Sequence, residues 1–165
     1  MSIFGNFFRG DSKLKAIKLT NEAISLLQQN DLHAAKEKAV AAINVNEEHD
    51  PAWSILATAL AKQGRFEEAV ESLKMAIKHN KLGVNYYLTL ASTYAAQGNK
   101  DFALKTAQEA QRVFKSKKYA DFLKEQKEIE KNGLSQNMVT GRVSVEELQI
   151  ELKKILSKLL NELQK

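Results

Sequence analysis

The chain contains no cysteine, which excludes disulfide staples, thiolate nucleophiles, cysteine-bearing zinc clusters and anchoring through a lipid-modified cysteine. A single proline and seven glycines in 165 residues leave few positions that interrupt a helix. His33, His49 and His79 have no histidine at i+4 and no cysteine near them, so no metal and no cofactor is expected. There is no glycine-rich phosphate loop and no strand pattern to precede one. Glu47, Glu48 and Asp50 read as a solvated loop with an N-cap rather than an acid/base pair, and the chain is not expected to be an enzyme. No apolar run approaches the roughly 18 residues of a membrane span, and the opening MSIFGNFFRG lacks the apolar stretch and cleavage site of a leader. These absences predict a cytoplasmic protein.

With 44% hydrophobic and 27% charged residues the chain has the composition of one soluble domain, or two at most. Ala, Leu, Lys, Glu and Gln dominate, which predicts an all-α fold. The net charge of +5 could draw a chain to nucleic acid or anionic lipid, but lysines alternate with glutamates along most of the sequence. The densest basic patch, Arg112, Lys115, Lys117 and Lys118, falls at a helix end where cations favour the dipole, and no stacking aromatics accompany it. Nucleic acid is not an expected partner.

What the chain does have is a 34-residue period. Ala23, Ala57 and Ala91 form one series, Ala35, Ala69 and Ala103 a second, and Ala42, Ala76 and Ala110 a third, with Asn30, Gly64 and Gly98 at the turns. Over one period, Trp53, Leu56, Ala57 and Leu60 share a helical face, Gly64 ends that helix, and Phe66, Ala69, Leu73, Ala76 and Ile77 make a second face. Asp50 followed by Pro51 reads as an N-cap with proline in the first turn. Gly64 and Gly98 take a positive φ without a Cβ penalty, and Asn30 is the residue type that next best tolerates it. The alanines recur because only a small side chain fits where helices approach to about 8–9 Å. Each hairpin keeps an apolar flank until a neighbour stacks on it, so about three repeats are the usual minimum.

Trp53, Leu56, Ala57, Leu60, Gly64, Phe66, Ala69, Leu73 and Ala76 resemble the tetratricopeptide repeat signature nearly position for position. The third copy departs where Lys100 replaces the usual aromatic and Phe102 lies two residues later. The first is degenerate, with Glu22 at a normally apolar position. The resemblance covers about residues 16–117 and implies a right-handed superhelix of three helical hairpins with a concave groove for peptides or helices. The first helix of each pair then faces inward, which assigns to the groove Thr20, Ile24 and Leu27, then Ser54, Thr58 and Lys62, then Leu88, Ser92 and Ala95. That surface is small, nearly uncharged and partly apolar, suited to an apolar helical ligand. One subfamily grips the terminal carboxylates of heat-shock chaperones with a lysine, asparagine and arginine clamp. Here the corresponding positions hold Thr20, Ile24, Ile55, Asn85 and Thr89, so that clamp is absent.

Beyond the repeats, Tyr119, Phe122, Leu123 and Ile129 place an apolar stripe on a helix over about 117–131, expected to cap the stack. Asn132 and Gly133 stop it, and a linker follows. The expected organisation is an N-terminal aromatic segment at 1–15, a repeat domain with its capping helix at 16–131, a linker at 132–143 and an amphipathic helix at 144–165. Ser144 and Glu147 form a capping box for that last helix. Its Leu148, Leu152, Ile155, Leu156, Leu159, Leu160 and Leu163 are expected to pack on something, either a groove in the same or a neighbouring chain or a homo-oligomer. Glu162 breaks the heptad, which argues against a two-stranded coiled coil. Ile3, Phe4, Phe7 and Phe8 are expected to pack over the first repeat, a membrane contact being the alternative. The expectation for function is a non-catalytic scaffold or adaptor that binds a protein or peptide; the alternative is a chaperone for a secreted or assembling client.

Overall fold

The computed structural model describes residues 3–131 and 144–164, with side chains over 11–129 and 144–164. Among these residues there are eight α-helices and no strand. They are α1 (Ile3–Gln28), α2 (Leu32–Val45), α3 (Asp50–Lys62), α4 (Phe66–His79), α5 (Val84–Ala96), α6 (Lys100–Phe114), α7 (Lys117–Lys131) and α8 (Val145–Leu163). The expected linker at 132–143 and the side chains of Ile3, Phe4, Phe7 and Phe8 lie outside what is described. No helix among the described residues is long and apolar enough to cross a membrane. The chain divides into two compact units, Met1–His79 and Asn80–Lys165.

In the first unit α1 pairs with α2 and α3 with α4, and α3 also packs against both α1 and α2. Ala23, Ala57, Ala35, Ala69, Ala42 and Ala76 are all 0% exposed, as the close helix approach requires. Helix α1 starts at Ile3, so the segment expected to precede the repeats continues into the first repeat as one helix. Asn30 and Gly64 adopt φ of 61° and 77°. The amide after each bonds five residues back, Asp31 N to Leu26 O at 2.9 Å and Arg65 N to Leu60 O at 3.0 Å. Each turn residue's own amide bonds three residues back, completing the Schellman pattern. The N-cap of α3 is His49 rather than the expected Asp50, which is instead the first helical residue, with Pro51 beside it. An i, i+3 bond from Ala52 N to His49 O at 3.0 Å draws His49 into the cap. Glu22, which broke the apolar pattern of the first repeat, reaches Lys38 of α2 at 2.6 Å and so ties the first hairpin by charge.

In the second unit α5 pairs with α6 through the same turn, with Gly98 at φ 85° and Asn99 N bonded to Tyr94 O at 2.8 Å. Helix α8 packs against both α5 and α6, and α7 packs against α6 and α8. The shared core joins Val84, Leu88 and Ala91 of α5, Ala107 and Ala110 of α6, Tyr119 and Leu123 of α7, and Val145, Leu152, Leu156 and Leu160 of α8. Phe114, Tyr119 and Phe122 form a chain of rings with centroids 5.5 and 6.3 Å apart. The capping box of α8 is complete: Glu147 N donates to Ser144 Oγ at 3.2 Å and Ser144 N donates to Glu147 Oε2 at 2.9 Å.

The repeat phase relates the two units. Ala16, Thr20 and Ala23 are 0% exposed in α1, the helix that α3 packs against. Two periods later the same positions are Val84, Leu88 and Ala91, which share their core with α8. Helix α8 thus stands to α5 and α6 as α3 stands to α1 and α2.

Candidate interaction surfaces

On α1, Thr20, Ile24 and Leu27 recur at i, i+4 and i+7 and share one face; on α3, Ser54, Thr58 and Lys62 share a face at i, i+4 and i+8. Ile24, Leu27, Ser54 and Thr58 are half-buried and Lys62 is exposed. Thr20 is fully buried and donates its hydroxyl to Ala16 O at 2.9 Å, so it is core rather than surface. Thr58 likewise donates to Ser54 O at 2.9 Å. A hydroxyl already bonded to its own helix loses little when an apolar ligand displaces water from it.

In the second unit Leu88, Ser92 and Ala95 share a face of α5, but they have separate fates. Leu88 is buried in the core that includes α8, Ala95 is half-buried and Ser92 is exposed. Of the apolar residues expected to dock the terminal helix, Leu152, Leu156 and Leu160 are buried, and Leu159 and Leu163 pack on the same core. Leu148 and Ile155 remain 37% and 41% exposed.

A further concavity went unseen in the sequence. An open cleft of about 540 Å³ in the first unit is lined by Lys36 and Val40 of α2, Leu56 and Leu60 of α3, Arg65, and Glu67, Glu68, Glu71 and Ser72 of α4. Its floor is apolar and its rim charged. Arg65 Nε bonds Glu68 Oε1 at 2.6 Å, and this Arg65 bond, with Lys36 nearby, holds the Glu68 carboxyl below its ordinary value. The signal available in the sequence was Val40, an apolar residue on an outward position of α2, where it is 39% exposed.

Two titratable groups report local packing. Burial pushes His49 below its ordinary value of 6.5, against a smaller opposing effect of Asp50, and its Nε2 is buried without a hydrogen-bond partner. Burial pushes the Tyr119 phenol up. Among the described residues no group of three or more His, Asp and Glu could hold a metal ion. Phe102, the displaced aromatic of the third repeat, is 54% exposed; its ring lies 5.4 Å from that of Tyr94, with Lys105 Nζ 5.9 Å from its centroid.

The sequence profile described as tetratricopeptide repeat matches residues 20–83. No curated protein matches the chain in sequence. Among solved structures, the Yersinia enterocolitica type III secretion translocator chaperone SycD superposes with a TM-score of 0.67 at 13% identity, covering 91% of this chain and 92% of that one. The TPR2B domain of yeast Sti1, in its pHsp70 complex, gives 0.62 at 21% identity over 90% of this chain and 98% of that one. A mutant Thermobaculum terrenum O-GlcNAc transferase gives 0.57 at 17% identity over 61% of this chain, which spans only 20% of that enzyme's length. At these identities the likeness is one of fold.

Proposed function

We propose that this chain, whose residues 20–83 match the tetratricopeptide repeat profile, is a non-catalytic interaction scaffold that holds a helical or extended peptide on the inward faces of its first helices. The observation that carries this reading is the face made by Ile24, Leu27, Ser54 and Thr58. It is partly exposed and carries no charge except Lys62 at its end, and Thr58 already bonds its own backbone. Such a face favours apolar side chains presented at helical spacing over a carboxylate tail, which would find no fork of cations there.

The terminal helix is the regulatory part of this reading, separable at the expected boundaries of 16–131, 132–143 and 144–165. It covers Leu88, one of the inward residues of the third repeat, so a ligand that reaches Leu88 must displace α8. A cytoplasmic location belongs to the same proposal.

The test begins with selection of phage-displayed peptides on the full chain. Selected binders should carry apolar residues at helical spacing, and Ile24→Lys and Thr58→Lys should each weaken them roughly tenfold, the cost of a charge facing an apolar ligand. Both variants lie at half-exposed positions, so circular dichroism should show an unchanged fold. Selected peptides that bind both variants as tightly as the parent would contradict the assignment. A chain ending at residue 143 should bind more tightly if α8 competes, and equal affinity would remove that role.

A second reading, a chaperone for a secreted or assembling client, has one observation in its favour: the match to the translocator chaperone runs through 91% of this chain. A chaperone holds an insoluble amphipathic client in solution at near stoichiometric ratio, whereas a scaffold leaves it to aggregate.

A further inference from the structure

Helix α8 turns Leu152, Leu156 and Leu160 into its own chain and leaves a second apolar edge in water. Leu148 and Ile155, two turns apart on one line of the helix, are 37% and 41% exposed, and that line lies roughly 90° around the helix from the buried face. Beside it runs a flank of exposed charge with Glu147 and Glu151 in the first half of the helix and Lys154 and Lys158 in the second, Glu151 and Lys154 being nearest the centre, and with Glu162 beyond them 3.9 Å from Lys158.

We propose that this edge pairs antiparallel with the same edge of a second copy of the chain. Setting Leu148 opposite Ile155 of the second copy brings Glu151 to within about 3 Å of axial rise of the second copy's Lys154, and the two-fold repeats both contacts. Antiparallel pairing is dictated by which flank is free. A two-fold perpendicular to the helices lays the charged flank of one against the same flank of the other, acids against bases. A two-fold parallel to the helices would face the charged flank with the side already buried on α5 and α6. The pairing uses none of the inward-facing residues and stands independently of peptide binding.

Sedimentation equilibrium on the full chain tests it. The parent should associate to twice the chain mass, and raised salt should weaken the dimer because the flanking pairs are exposed. Glu151→Lys and Lys154→Glu should each lower dimer affinity roughly tenfold, since each turns two attractive pairs repulsive. An equimolar mixture of the two variants should restore the parent's affinity, because the mixed dimer regains two attractive pairs, one with its signs exchanged and one as in the parent. Leu148→Glu with Ile155→Glu, both at exposed positions, should give a folded monomer. The absence of native cysteine permits a check of orientation: a mixture of Leu148→Cys and Ile155→Cys chains should form the 148–155 disulfide in preference to 148–148. A monomeric parent, a mixture no tighter than either variant alone, or preferential 148–148 cross-linking would overturn the proposal.

Discussion

The first unit covers the flank of its opening hairpin with another repeat, and the second covers the equivalent flank with a helix outside the repeats. In the first, α3 packs on α1 and α2, and the contact is made of small side chains, Ala42 and Ala52, with Ile43 and the larger Trp53, Leu56 and Leu19 around them. In the second, α8 packs on α5 and α6 with Leu152, Leu156 and Leu160, and Val84 and Leu88 stand where α1 has Ala16 and Thr20. The difference teaches that a repeat hairpin requires an apolar neighbour but not a second repeat. A helix with leucines at i, i+4 and i+8 meets the requirement provided the receiving helix supplies larger side chains.

The comparison breaks most sharply at the leucines. Leu156→Ala removes a side chain only 4% exposed and should cost about 2–5 kcal/mol of stability. Urea unfolding followed by hydrogen exchange should place the loss in α5, α6 and α8, and a loss spread evenly over both units would count against the division. Ala57→Leu tests the alanine-packed unit from the other direction: overpacking at a fully buried helix crossing should cost about 1–3 kcal/mol, read as a lower urea midpoint. Gly98→Ala, at φ 85° with open space around it, should cost about 1 kcal/mol through backbone strain alone, and Gly64→Ala at φ 77° should match it. Ser144→Ala should cost about 1 kcal/mol, because it removes the acceptor for Glu147 N and leaves the α8 docking face intact.

The smallest effect is a pH dependence confined to the first unit. Burial holds the folded His49 below 6.5, so its contribution is fully present above that value and is lost as pH falls through the depressed folded value. Thermal melts from pH 7 down to pH 5 should show a decline that His49→Gln reduces, and an identical decline in both proteins would assign it to other groups.

Much of this architecture was legible because its determinants are local and periodic. Asn30, Gly64 and Gly98 sit at the turns and take positive φ, the alanine series mark the close approaches, and Ser144 with Glu147 closes the capping box. Periodicity also held detail that the sequence reading passed over. Asn46 and Asn80, one period apart, each accept an amide two residues on, from Glu48 N at 3.2 Å and Leu82 N at 3.1 Å. Trp53 and Tyr87 at equivalent positions donate to Glu47 O and Lys81 O. What the sequence could not supply is the identity of a neighbour. An apolar stripe on α8 states that it will be buried but not against which helices, and the inward phase of Thr20 and Leu88 does not reveal that α1 and α5 both take that position into their cores. The cleft beside Val40 was illegible for the same reason, since α2, α3 and α4 jointly enclose it.

Hydrogen exchange compared between the full chain and a chain ending at residue 143 tests most directly whether α8 completes the third hairpin. The account predicts that α5 and α6 lose amide protection when α8 is removed, while α1, α2 and α3 keep theirs. Unchanged protection in α5 and α6 would contradict it.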